Sequence, residues 1–544
     1  MKRTGVILFV IMVWYLAATL PYLEDFPLME WAQPMIAAPA WKLASEGVYG
    51  SDLFRGFYNA DVHNYDHLPV YPLFVSLSFK LFGLGIWQAR LVSVIAGLVT
   101  IWLTYLLGKT LYDEPTGLLA AALLCFLRLS LPNDTDLYNL GYQMNASGIP
   151  LLDFARVIRF DGMVPMWVVG AVLTFVRARQ SSATHFGSGW HLLTGVLTGL
   201  AMLTHIYGAF VLPVFVILLI WEDGWATLRR RPMYLILAGF FAALLPYLIY
   251  VFQDLPGYLG QSLRHEARFD FLNPNFYWDS LIHEPWRYLS WLGGSFRQAV
   301  LWPRVGLWVA VLGLPLANVW LFRRVRQSST LADRPLLVAL RTMMGLLALL
   351  INLKRYPYTA LILPFLSLQL AWAGITLWRR NTSRRWVRIL LVGILAATLI
   401  EGGIGVWGSF QLAREGTSHA ALTRAVRAVI PPDARVLASH LVWFALHDYD
   451  LYSVNLAFVL SDPQYGSNPA PSMAQVIDQI GPEYIVMENR LLKKYLEHPE
   501  TLPGERQENY LQELDQYIQT FCPEVVLNFP AEDYGDVVVY RCLP

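Results

Sequence analysis

Long apolar stretches separated by short polar ones fill the first 410 residues of the chain. A membrane-crossing helix needs about 17 to 25 apolar residues. Runs of that kind stand at 5–23, 89–108, 115–130, 163–178, 189–205, 207–222, 233–252, 299–322, 335–352, 357–378 and 387–410, so the pattern predicts about eleven spanning helices. One further segment, PVYPLFVSLSFKLFG at 69–83, is short, holds two prolines and carries Lys80. It reads as a helix lying along the interface. Beyond residue 411 the period changes. ARVLASH, EYIVMEN, EVVLNF and DVVVY are β-type runs, separated by the polar helical stretches SMAQVIDQI and RQENYLQELDQYIQTF. The expected fold is therefore an α-helical polytopic membrane protein over residues 1–410, with interfacial helices, followed by a small soluble α/β domain over 411–544.

Composition agrees: 56% of the residues are hydrophobic and 15% charged, too apolar for an ordinary soluble enzyme of 544 residues. The amino terminus has a basic start and an apolar core, but no small-residue cleavage site precedes the acids that follow, so it reads as a retained first span. Charge position then sets the topology. The basic clusters are Lys2/Arg3, Lys109, Arg177/Arg179, Arg229 to Arg231, Arg323/Arg324/Arg326 and Arg379/Arg380/Arg384/Arg385, and eleven spans put all of them on the cytoplasmic side. The expectation is a multi-pass protein of the plasma (inner) membrane with a cytoplasmic amino terminus. Its outer loops are 24–88, 131–162 and 253–298, and the α/β domain is extracytoplasmic. A net charge of +1 leaves no basic footprint for nucleic acid. Of the three cysteines, Cys125 lies in an apolar run, while Cys522 and Cys542 flank what reads as a β-hairpin and could pair outside the cell.

The outer face collects the unusual polar residues. YLEDFPLMEW at 22–31 packs Glu24, Asp25 and Glu30 just beyond the first span, and the Ala-rich stretch after it reads as an interfacial helix. A carboxylate held at that depth is partly desolvated and suits a general base, although acids beside a span are also common solvated flank residues. Asp66 and His67 adjoin each other before the interfacial helix and are candidates for a divalent metal ion. In ARVIRFDG, Arg156 and Arg159 stand at helical i, i+3 spacing with Asp161 beyond, an arrangement for a phosphate or for interfacial snorkelling. Lys354 and Arg355 precede Tyr356 and Tyr358 at the outer end of a span; flank anchoring is one reading, but it favours the cytoplasmic side, and anion binding is the preferred one. His205 and Arg341 lie near or within spans, where a charged side chain needs protein or water beside it. Walker loops, GxGxxG turns, nucleophile elbows and HExxH motifs are missing from the sequence.

Together these motifs resemble the GT-C membrane glycosyltransferases, in particular the glycosyltransferase family 39 branch of dolichyl-phosphate-mannose protein mannosyltransferases and aminoarabinose transferases. The resemblance runs over about the first 380 residues: the acid and Ala-rich helix from Glu30 to Gly47, DHLPVYPLFVSLSFKLFG, WQARLVSVIAG with Arg90, ARVIRFDG, and KRYPYTALILP. It implies a polyprenyl-phosphate-linked sugar donor, a lipid, glycan or protein acceptor, and transfer with inversion. A first-loop carboxylate, Glu30 or Asp25, would serve as base, and Lys354, Arg355, Arg90, Arg156 and Arg159 would meet the donor phosphate. Asp66 corresponds to an acid before the family's Pro-Pro, where some relatives hold a divalent metal, and Asp161 to a second acid. The chain departs from the family at Met29-Glu30, where Asp-Glu is usual, at Leu68, and in an insertion from about Arg128 to Leu152. A flippase for lipid-linked sugars and a catalytically inactive relative are the competing readings.

Overall fold

The computed structural model describes residues 3–29, 32–129, 146–181, 185–263, 271–291, 304–327, 332–351, 356–463, 465, 470–488, 505–531 and 536–543. Helix occupies each of the eleven apolar runs. In chain order the helices of the first 415 residues are α1 (Arg3–Thr19), α2 (Ala32–Glu46), α3 (Val70–Phe82), α4 (Ile86–Leu111), α5 (Glu114–Phe126), α6 (Pro150–Ala155), α7 (Val164–Gln180), α8 (His185–Thr204), α9 (Leu212–Asp223), α10 (Arg231–Gln253), α11 (Leu255–Ser262), α12 (Pro274–Trp291), α13 (Val305–Gln327, with a π turn at Val309–Gly313), α14 (Asp333–Leu350), α15 (Leu363–Arg380) and α16 (Arg385–Glu415). Among the described residues, six helices are long and apolar enough to cross a membrane, and α1, α3 and α5 are shorter apolar ones. The chain is an integral membrane protein.

Close backbone approach holds the bundle where small residues permit it. A Cβ at Gly195 of α8 would lie 1.9 Å from the Ile236 carbonyl oxygen of α10, and one at Gly239 would lie 2.1 Å from that of Leu192. Only glycine lets these two helices meet there. The segment read as interfacial is helical, as α3, and the Ala-rich stretch after the acids is α2, buried along Gln33–Ala40.

The carboxyl-terminal region forms a five-stranded sheet of order β2-β1-β3-β5-β4. Its strands are β1 (Arg435–Ala438), β2 (Asp450–Ser453), β3 (Tyr484–Glu488), β4 (Glu524–Phe529) and β5 (Val537–Arg541). β1 pairs in parallel with β2 and β3, while β5 runs antiparallel to β3 and β4. The four expected strands are present, and β2 is an addition. DLYS is too short and too polar to stand out, and its pairing with β1 makes it a strand. Helices α17 (His419–Val429), α18 (Val454–Ser461), α19 (Met473–Ile480) and α20 (Glu505–Phe521) pack around the sheet. Ser472 and Gln475 close a capping box on α19, and Gly481 ends it in the left-handed conformation, φ 62°. Cys522 and Cys542 are bonded, joining the outer ends of the β4–β5 hairpin.

This domain sits on the end of the bundle that carries α2. The Ser453 hydroxyl donates to the Leu53 carbonyl at 2.7 Å, Arg55 pairs with Asp450 at 3.0 Å, and the Trp41 and Phe54 rings lie edge-on to His447 and His440. Phe54, Phe57, Leu441, Trp443 and Phe444 belong to one buried cluster shared by both parts.

Candidate functional site

The loop leaving α1 is held by two buried guanidinium groups. Arg90, in the second turn of α4 and fully buried, donates from Nη1 to the Leu23 carbonyl at 3.0 Å, from Nη2 to the Pro27 carbonyl at 2.7 Å, and from Nε to Gln33 Oε1 at 3.3 Å. Arg156 donates to the carbonyls of Ala18 at 3.2 Å, Pro21 at 2.7 Å and Phe26 at 3.5 Å, and lies 5.4 Å from the Phe26 ring. Burial pushes the Arg156 guanidinium down to about 10, which leaves it charged at neutral pH. The two cations thus bind the carbonyl oxygens on both sides of Glu24 and Asp25. Asp25 in turn accepts from the backbone N–H of His419 at 2.9 Å, at the start of α17. Glu24 is exposed, and Glu30 lies outside the described residues.

The helical spacing expected for Arg156 and Arg159 is not realised. α6 ends at Ala155, and the next residues leave the helix because their backbone groups bond elsewhere. The Ile158 N–H donates to Gln33 Oε1 at 3.1 Å, and the Val157 carbonyl accepts from Ser93 Oγ at 2.8 Å. Ser93 Oγ is also 2.7 Å from the Tyr71 hydroxyl of α3. The segment therefore turns out of the helix, with Arg159 in extended backbone, and Arg156 and Arg159 serve different surroundings.

Arg159 pairs with Asp161 at 2.9 Å, both nearly buried. Between them Phe160 stacks on His205 with ring centroids 4.7 Å apart and lies 6.0 Å from the ring of His67. His205 is also 4.3 Å from the Tyr207 ring and 5.4 Å from Tyr358, with Tyr207 and Tyr358 themselves 4.9 Å apart. His67 Nδ1 is 3.2 Å from Asp66 Oδ2. Asp66, His67, Arg159, Asp161, His205 and Tyr358, which are far apart in sequence, thus meet around one phenylalanine ring. Lys354 and Arg355 lie outside the described residues, directly before Tyr356 in the chain. Arg341 is away from this group, donating to Asn318 Oδ1 at 2.8 Å.

Among the described residues no group of three or more His, Cys, Asp or Glu side chains could hold a metal ion. Asp66 and His67 supply two donors, fewer than a protein-only cage requires. Below this cluster an apolar groove of about 540 Å³ runs down the bundle between α3, α4, α7 and α8, lined by Phe74, Leu77, Leu81, Ile95 and Trp167 and beginning at Met163, two residues past Asp161. Sequence reading passed over Gln33, Tyr71, Ser93 and Asp153. The last is buried, accepts from Ser147 N at 3.0 Å and Oγ at 2.7 Å, and is pushed up to about 7 by burial.

Two family profiles match the chain, both described as dolichyl-phosphate-mannose-protein mannosyltransferase, over residues 66–136 and 151–259. They cover Asp66 to α5 and α6 to α11, which includes most of the cluster around Phe160. A search of curated protein sequences returns no match. In fold the chain is similar to ArnT from Cupriavidus metallidurans bound to undecaprenyl phosphate, with a TM-score of 0.62 and 15% identity over 99% of this chain and 98% of that one. It is also similar to the Archaeoglobus fulgidus oligosaccharyltransferase in complex with Zn and sulfate, with a TM-score of 0.56 and 13% identity over 98% of this chain and 73% of that one. The same archaeal enzyme, AglB, with an inhibitory peptide and a dolichol-phosphate gives a TM-score of 0.57 at 10% identity, over 100% and 74% of the two chains. The chain thus matches mannosyltransferase profiles on both sides of its insertion and shares the fold of ArnT and of the archaeal oligosaccharyltransferase from end to end.

Proposed function

We propose that the chain is a glycosyltransferase that moves a sugar from a polyprenyl-phosphate donor to an acceptor hydroxyl at the outer face of the membrane. The observation that carries this reading is the meeting of Arg159–Asp161, Asp66–His67, His205 and Tyr358 at the end of the bundle that bears the α/β domain, in a chain with the GT-C fold. Solved proteins of this fold are in complex with undecaprenyl phosphate and with a dolichol-phosphate, the chemistry such a donor presents.

In the proposed step a carboxylate takes the proton of the acceptor hydroxyl as its oxygen attacks the anomeric carbon. The bond from that carbon to the phosphate oxygen breaks, the configuration inverts, and polyprenyl phosphate leaves with one more negative charge. Cations fixed beside the leaving oxygen stabilise that charge more in the transition state than in the bound donor. Glu30 is the proposed base and Asp25 the second choice, because the Asp25 carboxylate is already engaged by α17. Arg159, Lys354 and Arg355 are the proposed phosphate ligands. Arg90 and Arg156 shape the loop that presents the acid, since their donors meet its carbonyls. Asp161 orients Arg159, and His205 and Tyr358 wall the site. The apolar groove is proposed to take the isoprenoid tail. Asp66 and His67 would hold a divalent cation, whose charge would help neutralise the donor phosphate. The sugar is proposed to be a hexose or pentose and the acceptor a lipid, glycan or protein. The protein is proposed to lie in the plasma (inner) membrane with its amino terminus inside.

Glu30→Gln tests this mechanism. It should bind donor as the unmodified protein does while turnover falls by about 10²- to 10⁴-fold. Lys354→Ala and Arg355→Ala should weaken donor binding itself. Full turnover by Glu30→Gln and by Asp25→Asn alike would contradict a first-loop base.

A further inference from the structure

We infer that Gln33 is a positioning residue, which fixes the acid-bearing loop against the segment that carries Arg159 and Asp161. It stands in the first turn of α2, three residues after Glu30, and is fully buried. Two donors converge on its amide: the Nε–H of Arg90 at 3.3 Å and the backbone N–H of Ile158 at 3.1 Å. Both are obligate donors, so the atom they share is the carbonyl oxygen Oε1 and not the nitrogen. A single side-chain oxygen therefore joins three elements. Arg90 grips the carbonyls of Leu23 and Pro27, and Ile158 lies next to Arg159. Glu30 stands three residues before Gln33 in the chain.

Tyr71 of α3 also reaches the 157–159 segment, at the Arg159 backbone. Ser93 holds Val157 from the side of α4 and α3, without reaching the loop. Loss of the Gln33 oxygen would leave two buried donors, one of them charged, without this acceptor. The loop and the RFD segment would then be free to shift relative to each other. An error of about 1 Å between a base and a charge-stabilising group costs about 10²-fold in rate while leaving each binding surface intact. The inference rests on the proposed glycosyl transfer, since it assigns Gln33 to the alignment of that reaction's base and phosphate-binding parts.

Gln33→Met removes the acceptor at nearly constant volume, and Gln33→Glu keeps an oxygen for both donors. In full-length protein in nanodiscs, with a donor the unmodified protein turns over, Gln33→Met should lower kcat by about 30-fold or more, with KM for the donor changed less than about threefold. Gln33→Glu should recover kcat to within about fivefold of the unmodified protein. Melting temperature, read alongside, should be nearly the same for the two variants. A kcat for Gln33→Met close to the unmodified value would overturn the inference. So would a Gln33→Glu variant as slow as Gln33→Met, which would show that the shared oxygen is not what matters. Should the unmodified protein release no polyprenyl phosphate from any donor, the proposed function itself fails, an outcome distinct from the other two.

Discussion

Asp25 and Glu30 look alike in sequence and stand in different positions physically. The Asp25 carboxylate receives the N–H of the first residue of α17, a helix start where a negative charge is favoured. Asp25→Asn keeps an acceptor oxygen and gives up only the charge, so it should cost about 0.3–1 kcal/mol of stability and leave turnover within about threefold. Thermal melting and initial rates check both, and loss of turnover without loss of stability would make Asp25 the base instead. The sequence marked Asp66, His67, Arg159, Asp161, His205 and Tyr358 as unusual, and the fold gathers them. It marked Arg90 and Arg156 only as cations, because backbone carbonyls are the same at every residue and a sequence holds no trace of which ones a guanidinium will meet. Gln33 and Ser93 escaped for a related reason: neutral polar side chains inside apolar stretches carry no pattern.

Elements were legible where periodicity is strong. The apolar runs, α2, α3 and four of the five strands follow from hydrophobic spacing alone. ARVIRFDG was misread as a helical face because its residues suit a helix locally, whereas Gln33 and Ser93 hold its backbone in a bend outside the helix. The end of β3 carries a second tertiary effect. Glu488 is buried in the sheet, and burial pushes its carboxyl up from 4.5 to about 7 against a hydrogen bond from Ser439. Its folded-state value lies above the unfolded one, so the folded domain binds more protons in between. The stability this gives is present below about 4.5 and lost as pH rises through about 7. Scanning fluorimetry between about pH 6 and about pH 8 should show the melting temperature of the unmodified protein falling, and Glu488→Gln should reduce that fall. An equal fall in both would show that Glu488 is already ionised in the fold. Asp153, raised in the same direction, accounts for part of any dependence that remains in the variant.

At the scale of the whole molecule, hydropathy and charge dictated a membrane body and an α/β domain, but not their docking. The contacts of Leu53, Arg55 and Trp41 with Ser453, Asp450 and His447 join residues about 400 positions apart, beyond the reach of local pattern. They place the domain on the same end of the bundle as the cluster around Phe160, so both share one side of the membrane. We propose from the basic clusters that this side is the outer one, a reading that the Cys522–Cys542 bond suits. A reporter that is active only in the cytoplasm, fused after Pro544, should be silent; a strong signal would invert the topology and put the site on the inner face. The central claim is the transfer reaction at that site. Its most direct measurement is the release of polyprenyl phosphate over time when purified protein in nanodiscs meets a panel of polyprenyl-phosphate hexoses and pentoses with lipid, glycan and peptide acceptors. The account predicts acceptor-dependent release from at least one donor, with the sugar recovered on the acceptor in inverted configuration. Donors that bind and cross the bilayer intact, with no polyprenyl phosphate released from any of them, would contradict it and make the chain a carrier of lipid-linked sugars.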